Sequence, residues 1–144
     1  MKARRTKPKP KPRHRRAPAD SLLASIRGAE HREVGGATID TMRVANGRIK
    51  RVIYRPGFRW SSDMQPLVGT KLCMHAHVGF LVRGRVRGRY ADGCAFDIVA
   101  PQAVVIEPEH DAWVVGDEAA VLVQFDAEAA TASRFGLAER HRHQ

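Results

Sequence analysis

Short apolar stretches separated by turn residues fill most of the chain from residue 37 onward. They are rich in Val and Ile, and many alternate apolar with polar residues, which is the period-two pattern of half-buried strands. Turn residues stand between them as Asn46-Gly47, Pro56-Gly57, Asp92-Gly93 and Gly116-Asp117. The pattern predicts eight strands, over residues 37–44, 49–54, 71–82, 85–90, 95–99, 103–106, 113–115 and 120–125.

This strand spacing predicts an all-β domain, a sandwich or small barrel whose jelly-roll closure removes exposed sheet edges. Short helices are predicted only at its flanks: Asp20 can cap one over residues 21–27, and the stretch AEAATASRFG predicts another after residue 126. The predicted organisation is a disordered basic tail at 1–18, a short helix and linker at 19–36, a β-barrel at 37–126, and a short helix with a polar tail at 127–144.

Charge is distributed very unevenly along these segments. The formal charge of +10 comes from 25 Lys and Arg against 15 Asp and Glu, and nine of the basic residues lie in residues 1–16, which have no acidic residue. The rest of the chain therefore holds 16 basic and 15 acidic residues, a net charge of +1. A nearly neutral body disfavours nucleic-acid binding through the folded surface.

The basic tail is interleaved with prolines as KPKPKP, which predicts an extended, disordered segment. One interpretation is an electrostatic tether to nucleic acid or to another anionic surface, and the other is a solvated extension without a partner. The candidate contacts are Arg4, Arg5, Lys7, Lys9, Lys11, Arg13, Arg15 and Arg16.

Several features favour a single cytoplasmic domain. The length suits one core, and no apolar run approaches the roughly 20 residues of a membrane span. The N-terminus lacks the apolar region of a secretory signal. Two cysteines, Cys73 and Cys94, form no disulfide framework, so a reducing compartment is expected.

The stretches GFLVRGRV and DGCAFDIVAPQAVVIEPEH resemble the cupin superfamily, and the resemblance spans residues 49–126. It implies a double-stranded β-helix, or jelly-roll, barrel, and it also implies a homodimer, because cupins often dimerise. Many cupins bind a metal inside the barrel through two motifs, G(X)5HXH(X)3-4E(X)6G and G(X)5PXG(X)2H(X)3N.

Two registers compete for the first motif. With His75-Ala76-His77 as the HXH element, Gly69 stands six residues before His75 as required, but the motif Glu falls at Leu81 or Val82. No carboxylate is present there, so this register leaves the ligand set incomplete.

The other register ends the motif at Gly84 and places the Glu position at His77. The two histidine positions then fall near Lys71 and Cys73. The strand HVGFLVRG matches the usual strand of the family in this register, which is therefore favoured.

The second motif also departs from the family pattern. Its P-X-G loop reads Glu107-Pro108-Glu109, its histidine position is Ala112, and its Asn position is Gly116. His110 lies two residues early and is expected in the turn. The resemblance thus implies the fold more strongly than a metal.

A metal site can be built from the residues themselves. Cys73, His75 and His77 alternate, so all three share one face of a continuous strand, and His110 can approach from a neighbouring strand or turn. Such donors suit a divalent metal, Zn or Fe, with an open position for substrate. The alternative is structural: His77 hydrogen-bonds a backbone carbonyl, and Cys73 is a small core residue.

Without metal, the barrel remains a concave pocket lined by alternate strand residues. The candidate ligand-binding residues are Tyr54, Trp60, His75, His77, Leu81 and His110. Trp60, which follows the Pro56-Gly57 turn, is expected to cover one mouth of the barrel.

Four arginines at alternate positions predict a basic strand face formed by Arg83, Arg85, Arg87 and Arg89. It is interpreted as a solvated face in preference to an anion site. Acidic side chains that can neutralise it are Glu107, Glu109 and Asp111.

The favoured function is a stand-alone cupin-type domain that binds a small molecule in the barrel, as a sensor or accessory protein. A metal-dependent cupin enzyme with a His-based Zn or Fe site is the alternative, and a nucleic-acid-associated protein acting through the tail is third. No Ser-His-Asp arrangement, phosphate-binding glycine loop or CXXC site is visible in the sequence.

Overall fold

The structure, a computed structural model, describes residues 20–127 and 130–142. The predicted basic tail therefore lies outside the described residues. The strands are β1 (Glu30–Val34), β2 (Ala37–Val44), β3 (Gly47–Tyr54), β4 (His77–Arg83), β5 (Arg85–Tyr90), β6 (Ala95–Val99), β7 (Gln102–Ile106), β8 (His110–Val114) and β9 (Ala120–Ala127). The helices are α1 (Trp60–Asp63), α2 (Gln65–Val68) and α3 (Thr131–Arg134).

Two antiparallel sheets form the body of the molecule. The larger has the order β1-β2-β3-β9-β4-β7, and the smaller has the order β6-β5-β8. The core includes apolar residues from both sheets, among them Val52, Leu81, Ile98, Val104, Val114 and Leu122. The all-β jelly-roll fold expected from the strand spacing is thus confirmed.

The barrel begins earlier in the chain than expected, because part of the segment interpreted as a linker forms β1. This strand pairs with β2 from Glu30↔Thr41 to Val34↔Ala37, across the two-residue turn Gly35-Gly36. Both glycines have positive φ, 52° and 72°, as a tight hairpin turn of this length requires. The residues of β1 are mostly polar and exposed, so apolar alternation could not reveal it.

The short helix predicted over residues 21–27 is wrong: the chain there forms a turn. Asp20 accepts backbone hydrogen bonds from Leu23 and Ala24, and its carboxylate accepts the Leu22 N–H at 3.0 Å. Leu22, Leu23 and Ile26 remain about 40% exposed. A seven-residue helix with so little packing is not stable in water.

The segment between β3 and β4 also differs from expectation. It contains α1 and α2, which are too short to show a helical period in the sequence. The strand predicted over residues 71–82 begins only at His77, and residues 71–76 are irregular apart from a bridge between Cys73 and His110. The predicted C-terminal helix is present as α3.

Within the described part of the chain, no helix is long and apolar enough to cross a membrane. Cys73 and Cys94 are both present as thiols.

Candidate functional site

A cavity of about 300 Å3 lies between the two sheets, inside the barrel. Its walls are mainly apolar and include Ile39, Val52, Val104 and Leu122. Val68, Met74 and His75 also line it and are solvent-exposed, so the mouth opens beside the segment of residues 68–75.

Three potential ligand atoms meet on the cavity wall, one each from Cys73, His77 and His110, and all lie within 4.8 Å of one another. His77 is the first residue of β4 and His110 the first of β8, so the two strands bring them together from opposite sheets. Cys73 is held against β8 because its N–H donates to the His110 carbonyl at 2.8 Å and its carbonyl accepts the Glu109 N–H at 2.8 Å. We call these three residues the inner cluster.

The orientation of the His77 ring is set by β9. Its Nδ1 donates to Oε1 of Gln124 at 2.8 Å, since an amide oxygen can only accept. The other nitrogen, Nε2, therefore carries a lone pair, and it lies 3.7 Å from the Cys73 sulfur. Burial lowers the pKa of His77 to about 3, so the ring is neutral at physiological pH.

His110 is oriented in the same manner by a backbone group. Its Nδ1 donates to the Glu107 carbonyl at 2.7 Å across the Pro108-Glu109 turn, in which Glu109 has a φ of 68°. Its ring is almost fully buried and lies 5.1 Å from the His77 ring. Burial lowers the pKa of His110 to about 4, so this ring too is neutral and offers Nε2 as an acceptor.

Two further polar groups of the cavity wall, Cys73 and Tyr54, are also uncharged. Burial raises the pKa of the Cys73 thiol to about 11, and burial together with the nearby Cys73 raises the pKa of Tyr54 well above its usual value. Lys50 lines the cavity but forms an ion pair with Asp126. The inner cluster thus forms a neutral polar surface on the cavity wall.

All six predicted ligand-binding residues line this cavity: Tyr54, Trp60, His75, His77, Leu81 and His110. Trp60 is 8% exposed and begins α1 at the cavity wall. Leu81 points into the barrel from β4 and is almost fully buried.

Three of the four predicted metal ligands lie close together, and the fourth does not. Cys73, His77 and His110 converge, whereas His75 is exposed at the mouth and is not part of the inner cluster. The predicted alternation fails here because residues 71–76 do not form a strand. The expected position of His110 in a turn is wrong as well, since its backbone pairs with Tyr90 in β8.

Gln124 is a residue of the candidate site that sequence reasoning missed. It lies on the inner face of β9 with Leu122 and is 6% exposed. The signal was present as a single amide in the apolar stretch AVLVQF at an inward-facing position. A buried amide requires a partner, which here is His77.

Arg83 ends β4 and pairs with Asp20 and Glu118, so the predicted arginine face is limited to β5, where two of its arginines are neutralised by a different residue from those expected. Asp97 on β6 pairs with both Arg85 and Arg87, at 2.5 and 2.9 Å. These three side chains are well exposed, as a solvated strand face predicts. The expected acidic residues pair elsewhere: Glu107 with His141, Glu109 with Arg140 and Asp111 with Arg59.

Comparisons with known proteins identify similar folds only among solved structures, because no family model and no curated protein matches the chain. It is similar to ectoine synthase from P. lautus, with 8% identity, a TM-score of 0.52, and 81% of this chain and 83% of that chain covered. It is also similar to a Cupin 2 conserved barrel domain protein from Salinispora arenicola (18% identity, TM-score 0.50, coverage 79% and 94%). An RmlC-like cupin from Shewanella frigidimarina matches with 14% identity, a TM-score of 0.50, and coverage of 77% and 94%.

Proposed function

We propose that this chain, which has the cupin fold its sequence resemblance predicted, binds a small neutral molecule inside the barrel. The main support for this proposal is the cavity of about 300 Å3, whose walls are mainly apolar and whose inner cluster forms one polar surface. A volume near this value is at the lower end for small-molecule sites. A binding role, as a sensor or accessory protein, requires nothing beyond this cavity.

The apolar walls favour a ligand with a compact hydrocarbon or aromatic body. Side chains such as Ile39, Val52 and Leu122 offer no hydrogen-bonding groups, so a ligand gains affinity there by removing apolar surface from water. Polar atoms placed against these walls would lose hydration without gaining a partner.

The inner cluster favours a hydrogen-bond donor on that ligand. His77 and His110 are neutral, and both use their Nδ1 protons within the protein. The Nε2 of His77 accepts a hydrogen bond from the neutral Cys73 thiol, so the Nε2 lone pair of His110 is the acceptor left for a ligand. A hydroxyl, phenol or N–H group can donate to such a nitrogen. A carboxylate at the same place would face this lone pair and would lose its hydration in a cavity of low polarity.

The test compares two ligands of equal shape, a para-alkyl phenol and the matching para-alkyl benzoate. We expect the phenol to raise the melting temperature of the protein and to bind at least tenfold more tightly in calorimetry. Native mass spectrometry of the purified protein, performed first, identifies any small molecule that is already bound.

Two neighbouring residues of β7 provide matched variants. Val104 lines the cavity and is 2% exposed, whereas Val105 points outward and is 57% exposed. Val104→Phe should fill the cavity and abolish phenol binding, and Val105→Phe should leave it unchanged, with circular dichroism confirming that both variants fold. Equal phenol binding by the two variants, or no binding by the parent protein, would overturn the proposal.

A metal at the inner cluster is the second candidate, and the orientation of the two imidazoles favours it. Each ring donates Nδ1–H to a fixed oxygen, as metal-bound histidines commonly do, and the three donor atoms are close enough to share one ion. A donor set of two imidazole nitrogens and one sulfur fits Zn or Fe. A bound ion would supply Lewis acidity at an open coordination position.

Metal analysis of protein purified without chelators distinguishes the two candidates. We expect His77→Ala and Cys73→Ser to lose one equivalent of metal relative to His75→Ala, because His75 is not part of the inner cluster. A parent protein with no more metal than His77→Ala would contradict the metal and leave the neutral-ligand proposal standing.

A further inference from the structure

A second group of potential metal ligands lies on the surface of the barrel, at the turn between β5 and β6. Its first two members, Asp92 and Cys94, are fixed by the turn itself. The Cys94 N–H donates to Oδ1 of Asp92 at 2.9 Å, the Gly93 N–H donates to the Tyr90 carbonyl at 3.0 Å, and Gly93 has a φ of 92°. Both side chains are therefore presented from a well-defined hairpin.

The third member, His141, comes from the C-terminal segment, far away in sequence. Its ring stacks on Tyr90 with 4.0 Å between centroids and 12° between planes. Its Nδ1 lies 3.0 Å from a carboxylate oxygen of Glu107, to which it donates. Potential ligand atoms of Asp92, Cys94 and His141 all lie within 4.8 Å of one another.

We propose that Asp92, Cys94 and His141 form a surface site for a zinc-like divalent cation. One thiolate, one imidazole and one carboxylate are typical zinc ligands, and a water molecule can complete the tetrahedron. The thiolate favours borderline metals such as Zn2+ and Co2+ over Mg2+ and Ca2+. The Glu107 carboxylate accepts the Nδ1–H of His141 and so orients the imidazole, which leaves Nε2 as the nitrogen that would coordinate the metal.

This surface site is separate from the inner cluster. Aromatic side chains stand between them: the Tyr90 ring stacks on His141 and also lies edge-on to His110, at a centroid distance of 6.2 Å. Phe96 contacts both Tyr90 and His110. The two cysteines thus belong to different groups and can be tested independently.

A cation at the surface site would connect the C-terminal segment to the barrel. The contacts that hold that segment at this end include the stack of His141 on Tyr90, the Glu107–His141 hydrogen bond and a longer Arg140–Glu109 pair at 3.6 Å. Glu139 and Arg140 also line a hollow of about 400 Å3 together with Met74 and His75, which border the cavity mouth. Metal binding would therefore fix the C-terminal segment beside this mouth.

Cobalt titration of the Cys73→Ser protein tests the surface site alone, because Cys94 is then the remaining cysteine. We expect one equivalent of Co2+ to bind with a thiolate-to-cobalt absorption band in the near ultraviolet. Zn2+ should displace it and bleach the band, and Mg2+ should not. Hydrogen exchange in residues 137–142 should slow upon Zn2+ addition.

Three further variants in this background define the ligand set. Cys94→Ser should abolish the band, His141→Ala should weaken Co2+ binding at least tenfold, and Glu107→Gln should weaken it about tenfold by releasing the orientation of His141. Arg142→Ala is the matched control, since it removes the exposed side chain next to His141 and should have no effect. The proposal is overturned if no band appears, if His141→Ala binds as tightly as its parent, or if Arg142→Ala loses the band instead.

Discussion

Asp40 and Arg51 form an ion pair that is almost completely removed from solvent, with side-chain exposures of 1% and 5%. They face each other across β2 and β3, and Arg51 also donates to the Leu22 carbonyl at 2.9 Å. His31 on β1 donates to the same carboxylate at 2.8 Å. The charge on Asp40 therefore compensates a buried guanidinium, and one substitution can break that balance.

Asp40→Asn should destabilise the protein by about 3 kcal/mol, because removal of one member of a buried pair leaves the other charge uncompensated. Urea denaturation monitored by circular dichroism measures this change. Asp97→Asn is the matched control, because Asp97 pairs with Arg85 and Arg87 on the exposed arginine face, and it should have little effect. Equal effects of the two substitutions would contradict this account.

The same pair predicts a pH dependence. Burial alone would raise the pKa of Asp40, but hydrogen bonds from His31 and Arg51 outweigh it and hold the pKa below its ordinary value. The stabilisation is therefore complete above the unfolded pKa and is lost as the pH falls through the folded one. We expect the stability difference between the parent and Asp40→Asn to narrow between about pH 5 and about pH 3. A difference that is constant over this range would be inconsistent with the ion pair.

Gly79 illustrates a different residue-level constraint, a close approach of two strand backbones. A Cβ atom at this position would lie 2.0 Å from the Val123 carbonyl oxygen in β9. Gly79→Ala should therefore displace β4 from β9 and cost about 3 kcal/mol or more, as severe overpacking does. Gly47→Ala, where the nearest atom is 3.2 Å away, should be much milder in the same thermal denaturation experiment.

At the scale of elements, the regular strands could be predicted because burial on one face imposes period-two alternation. β2, β5 and β6 have the predicted bounds. The predictions failed for segments whose structure depends on a pairing partner. β1 is polar and forms a strand because it pairs with β2. Residues 71–76 are positioned by backbone hydrogen bonds between Cys73 and residues His110 and Glu109. The inner cluster could be predicted only in part for the same reason, since the pattern can mark Gln124 as a buried amide but does not identify His77 as its partner.

The segment of residues 20–29 is an element held by a few polar contacts. Asp20 pairs with Arg83 at the end of β4, and Arg83 also binds Glu118 at 2.7 Å. Asp20→Ala should increase hydrogen exchange in residues 20–28 and leave the melting temperature of the barrel nearly unchanged. Asp117→Ala is the control, because it removes an exposed carboxylate beside Glu118 that does not pair with Arg83. Unaltered exchange in Asp20→Ala would show that other contacts fix the segment.

For the whole molecule, the uneven charge predicts polyanion binding that depends on the tail. Residues 1–16 carry +9 of the total +10, so a chain that begins at residue 17 should elute from a heparin or DNA column at much lower salt. A full-length chain with Gln at the nine basic tail positions separates charge from length and should behave like the truncated one. Identical elution of the parent and the truncated chain would exclude the tail as an anionic-surface contact.

The two ends of the described chain leave the barrel at opposite poles. Asp20 lies at Arg83, where β4 ends, whereas His141 stacks on Tyr90 at the pole occupied by His110 and His77. The six steps along β4 from His77 to Arg83 correspond to about 20 Å. A protein fused directly to residue 20, in a chain that lacks residues 1–19, would thus leave the mouth unobstructed, and one fused directly to residue 142 would stand next to it. Attachment at residue 20 would present the open end of the barrel outward, away from the point of attachment.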